Sequence, residues 1–345
     1  MHVGTHRGRV PELDGLRGVA VLLVVAAHAT VGISPHYNGL GRLPIAGGGF
    51  IGVQLFFVLS GFLITGVLLR EAQEGSVSWR GFYLRRAGRL LPALFLVVAT
   101  LGAIGVIWGV EDAGGDALLA LTYTANLEPL TDRVTHAGWL GHTWSLAVEE
   151  QFYLVWPLVF LATFRAAGER GVAAAAVLGA SITVVLRHQL PQIDAYTTLR
   201  WDALMAGCWL AAAKPALTRA WGLAGALLLA PYIMEPPWPI EPMDYSIATI
   251  GCVAVVAAAP HARLLQSSIL RYLGRISYGL YLWHALLGRL DVTPAITVPI
   301  SVVLAEISFR TLEEPVLAWV RGRSSGRSGV VRVNGAGAPS VRTTP

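Results

Sequence analysis

Ten apolar runs separated by short polar breaks constrain this chain more than any other feature, because a run of about 20 apolar residues has the length of a helix across a hydrocarbon core ~30 Å thick. The runs fall near 16–34, 49–69, 89–110, 143–164, 171–187, 199–213, 221–234, 245–259, 276–290 and 295–319. The composition agrees. With 54% hydrophobic residues against 14% charged, and a mean hydropathy of +0.57, the 345-residue chain is too apolar for a soluble domain. The expected fold is an all-α polytopic membrane protein with about ten transmembrane helices.

Arginine placement gives the orientation. The basic residues are 25 arginines and one lysine, with a net charge of +5. Arg7 and Arg9, the group Arg70, Arg80, Arg85, Arg86 and Arg89, then Arg165, Arg170, Lys214, Arg219, Arg263, Arg271, Arg275, Arg321 and Arg323 all fall on one side of the alternation. Arg42, Arg133, Arg187, Arg200 and Arg289 are scattered over the other. By the positive-inside rule the chain is a multi-pass plasma-membrane protein with both termini cytoplasmic. Basic clusters placed this way report topology, so the expected partner is the lipid bilayer and no nucleic acid.

Ala27, His28 and Ala29 look like a signal-peptidase site, but many more spans follow and the apolar run begins late, so the segment is read as an uncleaved first span. A membrane domain over 1–321 is expected to be followed by a disordered cytoplasmic tail over 322–345, rich in Gly, Ser and Arg. Cys208 and Cys252 sit in separate apolar stretches and read as small packing residues, with no metal site expected.

Within the first span, Arg17 and His28 are eleven residues apart. Eleven steps of ~100° place both side chains on one helix face, about 16 Å apart along the axis. An arginine at the cytoplasmic edge then leaves the histidine near mid-membrane, where an ionisable group is costly and marks a site. Asp14, one turn before Arg17, is placed to pair with it.

Five segments, in order, carry a family resemblance: Pro-Glu-Leu-Asp-Gly-Leu-Arg-Gly-Val-Ala (11–20) with His28; Phe-Phe-Val-Leu-Ser-Gly-Phe-Leu-Ile-Thr (56–65); Phe-Tyr-Leu-Arg-Arg-Ala-Gly-Arg-Leu-Leu-Pro (82–92); His-Thr-Trp-Ser-Leu-Ala-Val-Glu-Glu-Gln-Phe-Tyr-Leu-Val-Trp-Pro (142–157); and Leu-Gly-Arg-Ile-Ser-Tyr-Gly-Leu-Tyr-Leu-Trp-His (273–284). Together they resemble acyltransferase family 3. Leu-Arg-Trp-Asp-Ala-Leu-Met-Ala-Gly (199–207) and Glu-Glu-Pro (313–315) fit the same pattern. The resemblance implies O-acyl transfer, usually of acetyl from acetyl-CoA, to a hydroxyl of a glycan, glycolipid or secondary metabolite. It implies acyl-CoA as a co-substrate, with no permanently bound cofactor. Many members carry a fused esterase-like domain, and this sequence is expected to lack one. Gln54 stands where the family commonly has Asp, which removes a charge.

Acyl transfer from a thioester to an alcohol needs a base for the hydroxyl proton, donors for the oxyanion and cations for the coenzyme phosphates. His28 is the expected general base, with Arg17 as a positioning or donor-side group; a helix-to-helix hydrogen bond and a topology anchor are their plainer readings. Arg85, Arg86 and Arg89 form the densest basic knot, and their guanidinium forks suit coenzyme phosphates or, more plainly, anionic lipid. Glu149 and Glu150, read at the outer membrane edge, are expected to bind acceptor hydroxyls or steer His142, against helix capping through Ser145. Arg200 with Asp202, and His284, are read as structural. Residues 114–127, with Tyr123 and Asn126, read as a short external or re-entrant segment, tolerable only if packed on protein or lining a cavity.

Sharper motifs are absent. Val58 rules out a Gly-x-Ser-x-Gly elbow around Ser60, no His-x-x-x-x-Asp surrounds His28 or His142, and there is no P-loop or Rossmann fingerprint. Chemical energy is therefore expected from an activated donor. The alternatives are an exporter of an acylated glycan or metabolite, with His28 and Glu149 as relay groups, and a non-catalytic envelope scaffold.

Overall fold

A computed structural model describes residues 10–31, 45–110, 112–127, 138–190, 199–216, 218–234, 240–290, 292–324 and 330–332. Arg7, Arg9, Arg42 and Arg133, and most of the expected tail, lie outside them. The described residues are almost entirely helical: α1 (Pro11–Val31), α2 (Gly48–Gln73), α3 (Trp79–Trp108), α4 (Ala113–Leu121), α5 (Trp144–Gln189), α6 (Trp201–Ala213), α7 (Arg219–Met234), α8 (Pro242–Ala258), α9 (Ser268–Gly288), α10 (Pro294–Ser308) and α11 (Glu314–Ser324). The one small sheet pairs β1 (Ser76–Ser78) antiparallel with β2 (Val330–Arg332), so part of the expected tail is a strand.

Within the described residues every expected span overlaps helix, yet six helical stretches among them, not ten, are long and apolar enough to cross a membrane. Three causes account for the difference. The runs at 143–164 and 171–187 belong to α5, which is broken at Ala167 and Gly168; Gly168 has φ 60°, ψ −148°, a conformation open essentially to glycine. Helices α6 and α7 are shorter than a membrane is thick. Helix α9 carries Arg271, Arg275, His284 and three tyrosines, and is too polar to count among the six.

The chain divides into two compact units, residues 1–59 with 216–305, and residues 60–215 with 306–345. In the first, α1 packs chiefly on α9 and α7 on α8. The α1–α9 contact is backbone to backbone. A Cβ at Gly18 or Gly274 would lie 2.1 or 1.8 Å from the carbonyl oxygens of Leu270 and Asp14, and one at Gly15 would lie 1.9 Å from that of Leu265, in the turn before α9. Small residues let membrane helices approach this closely, and the approach brings their polar groups within hydrogen-bonding reach. Gln54, fully buried on α2, donates to Thr249 Oγ1 (2.7 Å) and the Tyr245 carbonyl (3.3 Å). An aspartate could donate to neither acceptor when ionised, so the amide suits what α8 presents at this position.

In the second unit α5 packs on α6, and α3 on α11 through Gly88, against Val316 and Val320. Arg187 and Arg200, expected among the outer-side arginines, are buried. Arg187 pairs with Asp202 and donates twice to the Leu199 carbonyl (2.8 and 3.0 Å), while Arg200 lies over the Trp144 ring at 5.7 Å. Breaking a buried pair strands the remaining charge. Arg187→Met is therefore expected to lower stability by about 3–5 kcal/mol. Thermal unfolding in detergent reads this, and a wild-type transition would show the pair to be dispensable.

Candidate functional site

Two polar clusters stand out, one in each unit. The first is built by α1 and α9, whose contacts run in the same chain order: Asp14 with Gly274, Arg17 with Ser277, His28 with His284. This is a parallel pair, held by the glycine contacts described above. Arg17 Nη2 lies 3.5 Å from Ser277 Oγ, and its guanidinium sits over the Phe56 ring at 5.8 Å. His28 Nδ1 is 2.9 Å from His284 Nε2, and His284 Nδ1 is 3.0 Å from the Leu280 carbonyl oxygen. The imidazole centroids are 5.1 Å apart with 12° between planes. Such a short nitrogen–nitrogen distance with nearly parallel planes sets the rings edge to edge, as an N–H···N bond requires. His284 is 4% exposed, and Tyr281 packs on it with ring centroids 5.6 Å apart.

The second cluster joins α2, α3 and α5. Arg86 donates from Nε to Glu150 (2.7 Å) and from Nη2 to Glu149 (3.4 Å), and its guanidinium lies 3.4 Å over the Tyr153 ring. Ser60 donates to Glu149 Oε1 at 2.8 Å. The Tyr83 hydroxyl donates to the Tyr153 carbonyl at 3.4 Å. These contacts run in opposite chain order, 83 with 153 and 86 with 150, as between antiparallel helices.

Several expectations change here. Glu149 and Glu150 cannot stand at the outer membrane edge while Arg86 stands at the cytoplasmic one, because they touch. The apolar run after Trp144 suggested a span beginning there, but α5 starts alongside the middle of α3. The segment up to Leu127 meets α5 at this level: Asn126 and Gln151 exchange amide hydrogen bonds (3.0 and 2.8 Å), and Gln151 donates to the Tyr123 carbonyl (2.9 Å). Asn126, in a short 3-10 turn after α4, is 1% exposed, so this end of the segment packs on protein. Ser145 lies inside α5 and does not cap it; the preceding Thr143 has no side-chain cap bond to the helix and donates instead to the Leu140 carbonyl.

The three-arginine knot is divided among different neighbours. Arg85 pairs with Glu71 at 2.8 Å, Arg86 is taken up by Glu149 and Glu150, and Arg89 lies in the field of Glu313. A phosphate reaching Arg86 would have to displace two carboxylates. Arg85 differs, since its guanidinium is about a third exposed and a surface pair is worth only ~0.2–1 kcal/mol. Sequence reasoning gave Ser60 and Tyr153 no role, although both lie in segments that carry the family resemblance, 56–65 and 142–157. His284, read as structural, makes hydrogen bonds to the Leu280 carbonyl and across to His28. Cys208 and Cys252 are buried and in no disulfide, and no group of metal-ligating side chains occurs among the described residues.

A family profile described as an acyltransferase domain matches residues 10–307. The chain is 30% identical over 362 residues to the peptidoglycan O-acetyltransferase OatA of Listeria monocytogenes, covering 90% of this chain and 56% of that protein. It is also 30% identical over 374 residues to the Bacillus subtilis protein named putative peptidoglycan O-acetyltransferase YrhL, covering 91% and 56%. The chain thus spans little more than half the length of these curated relatives. No solved structure matches it.

Proposed function

The chain belongs to the acyltransferase-domain family matched over residues 10–307, and from that premise we propose that it is an integral membrane O-acyltransferase, moving an acyl group, acetyl in the first instance, from acyl-CoA to a hydroxyl of an envelope glycan of the peptidoglycan kind. The observation that carries the reading is His28: an imidazole inside an apolar helix, one face with Arg17, hydrogen-bonded across to α9. Placing an ionisable group there is costly, and the chemistry needs a base.

In this reading His28 takes the acceptor hydroxyl proton as that oxygen attacks the thioester carbonyl. The C–S bond breaks, and the proton returns to the departing thiolate. Arg17, held toward Ser277, supplies positive charge on the same face of α1, for the donor or for the developing oxyanion. Arg85 and Arg89 are the arginines of the knot best placed to receive coenzyme phosphates. Arg86 instead fixes Glu149 and Glu150, whose remaining acceptor capacity suits sugar hydroxyls.

The test is release of free thiol from acetyl-CoA by the purified chain in nanodiscs, with and without peptidoglycan fragments. Acceptor-dependent release with equimolar O-acetylated sugar supports the proposal. Movement of an acetylated sugar across the bilayer without thiol release would favour an exporter. Arg85→Gln/Arg89→Gln is expected to raise the KM for acetyl-CoA about tenfold, equivalent to ~1.4 kcal/mol, at unchanged saturating rate; an unchanged KM places the phosphates elsewhere.

A further inference from the structure

We infer that His284 is a positioning residue for the transfer: it holds His28 in the one tautomer whose free nitrogen can act as a base. The inference rests on the proposed role of His28 and goes beyond it.

The protonation pattern follows from the partners. The Leu280 carbonyl can only accept, so His284 Nδ1, 3.0 Å away, carries a hydrogen. In a neutral ring His284 Nε2 is then an acceptor. His28 Nδ1, 2.9 Å from it, must be the donor. That leaves His28 Nε2 without a hydrogen, its lone pair free for the hydroxyl proton. One backbone carbonyl thus sets the direction of two hydrogen bonds in a row. The base is oriented by a second group, itself oriented by a third, which is the logic by which a general base is made ready before substrate arrives.

The arrangement is anchored at each link. His284 donates within its own helix, to the carbonyl four residues back, so its ring cannot turn without stranding a buried N–H. The bond between the rings spans the α1–α9 contact set by Gly18 and Gly274. When His28 Nε2 takes the proton, the positive charge on its ring strengthens the Nδ1–H bond to His284 Nε2 and is shared along it. The balance is simple: the acceptor O–H and the donor C–S bonds break, the new C–O bond forms, and the proton passes through His28 Nε2 to the thiolate sulfur. His284 gains and loses nothing over the cycle.

The test uses the full chain in nanodiscs and three variants. His284→Gln can place an amide oxygen near the position of Nε2 and keep an acceptor for His28. His284→Asn, one methylene shorter, cannot reach, and His284→Leu has no acceptor. Expected are kcat values about 10²-fold down for Asn and Leu, within tenfold of wild type for Gln, and KM for acetyl-CoA within twofold throughout. A merely structural histidine would lose folded protein in step with activity and would not separate Gln from Asn, two amides of like polarity. Equal kcat in Gln and Asn overturns the inference, as does wild-type kcat in Leu. If His28→Gln turns over at the wild-type rate, the base itself is misassigned. If His28→Gln is inactive while His284→Leu is not, His284 alone is misassigned.

Discussion

His28→Ala is expected to lower acceptor-dependent acetyl transfer by about 10³-fold, within the range a positioned general base contributes, while the folded yield stays near wild type. The side chain faces α9 through one hydrogen bond, and the α1–α9 contact depends on backbone approach at glycines rather than on that bond. Removing the imidazole thus takes away the proton acceptor and leaves the helix pair in place. Transfer is measured as thiol release together with O-acetylated product, against size-exclusion behaviour in detergent. An exporter using His28 as a relay would lose transport and show no thiol chemistry to lose. A scaffold would be indifferent to the change, so activity surviving in His28→Ala sinks the enzymatic reading at this residue.

Gly61→Ala is expected to abolish folded protein or destabilise it by about 3 kcal/mol or more, while Gly66→Ala, five residues along the same helix, is expected to be neutral or slightly stabilising. A Cβ on Gly61 would lie 1.8 Å from the Leu204 carbonyl oxygen, 2.8 Å from its carbon and 3.1 Å from Cys208 N. All three are backbone atoms of α6, which cannot move aside as a flexible side chain can. Around Gly66 nothing lies within 4 Å, so alanine meets no obstacle and gains helix propensity of about 1 kcal/mol. Thermal unfolding of the two variants in the same detergent decides the matter. Equal behaviour would mean that α2 and α6 do not meet at Gly61.

Reading the chain as a string could not separate these glycines, since both sit in an apolar helix. The same limit explains the errors around Arg86. A positive-inside pattern assigns sides by counting charges between apolar runs, and it presumes that each run crosses the membrane from edge to edge. Helix α5 begins alongside the middle of α3, where Gln151 bonds Asn126, so its first carboxylates meet an arginine assigned to the other side. Local periodicity carries no record of that offset. Arg187 and Asp202 escaped for a related reason: fifteen residues and a helix boundary separate them, and only the packing of α5 on α6 makes them a pair.

From its residues alone the chain was legible as a helical membrane protein resembling acyltransferase family 3, because run length and composition are set by the bilayer and motifs persist in linear order. The shared face of Arg17 and His28 was legible too, since it follows from helical pitch within one element. Tertiary structure decided what lies across from each. It set His284 against His28, Glu149 and Glu150 against Arg86, and the Thr249 hydroxyl against Gln54. These pairings join residues 63 to 256 positions apart, and they exist only because glycines and offset helices bring particular turns together at backbone distance.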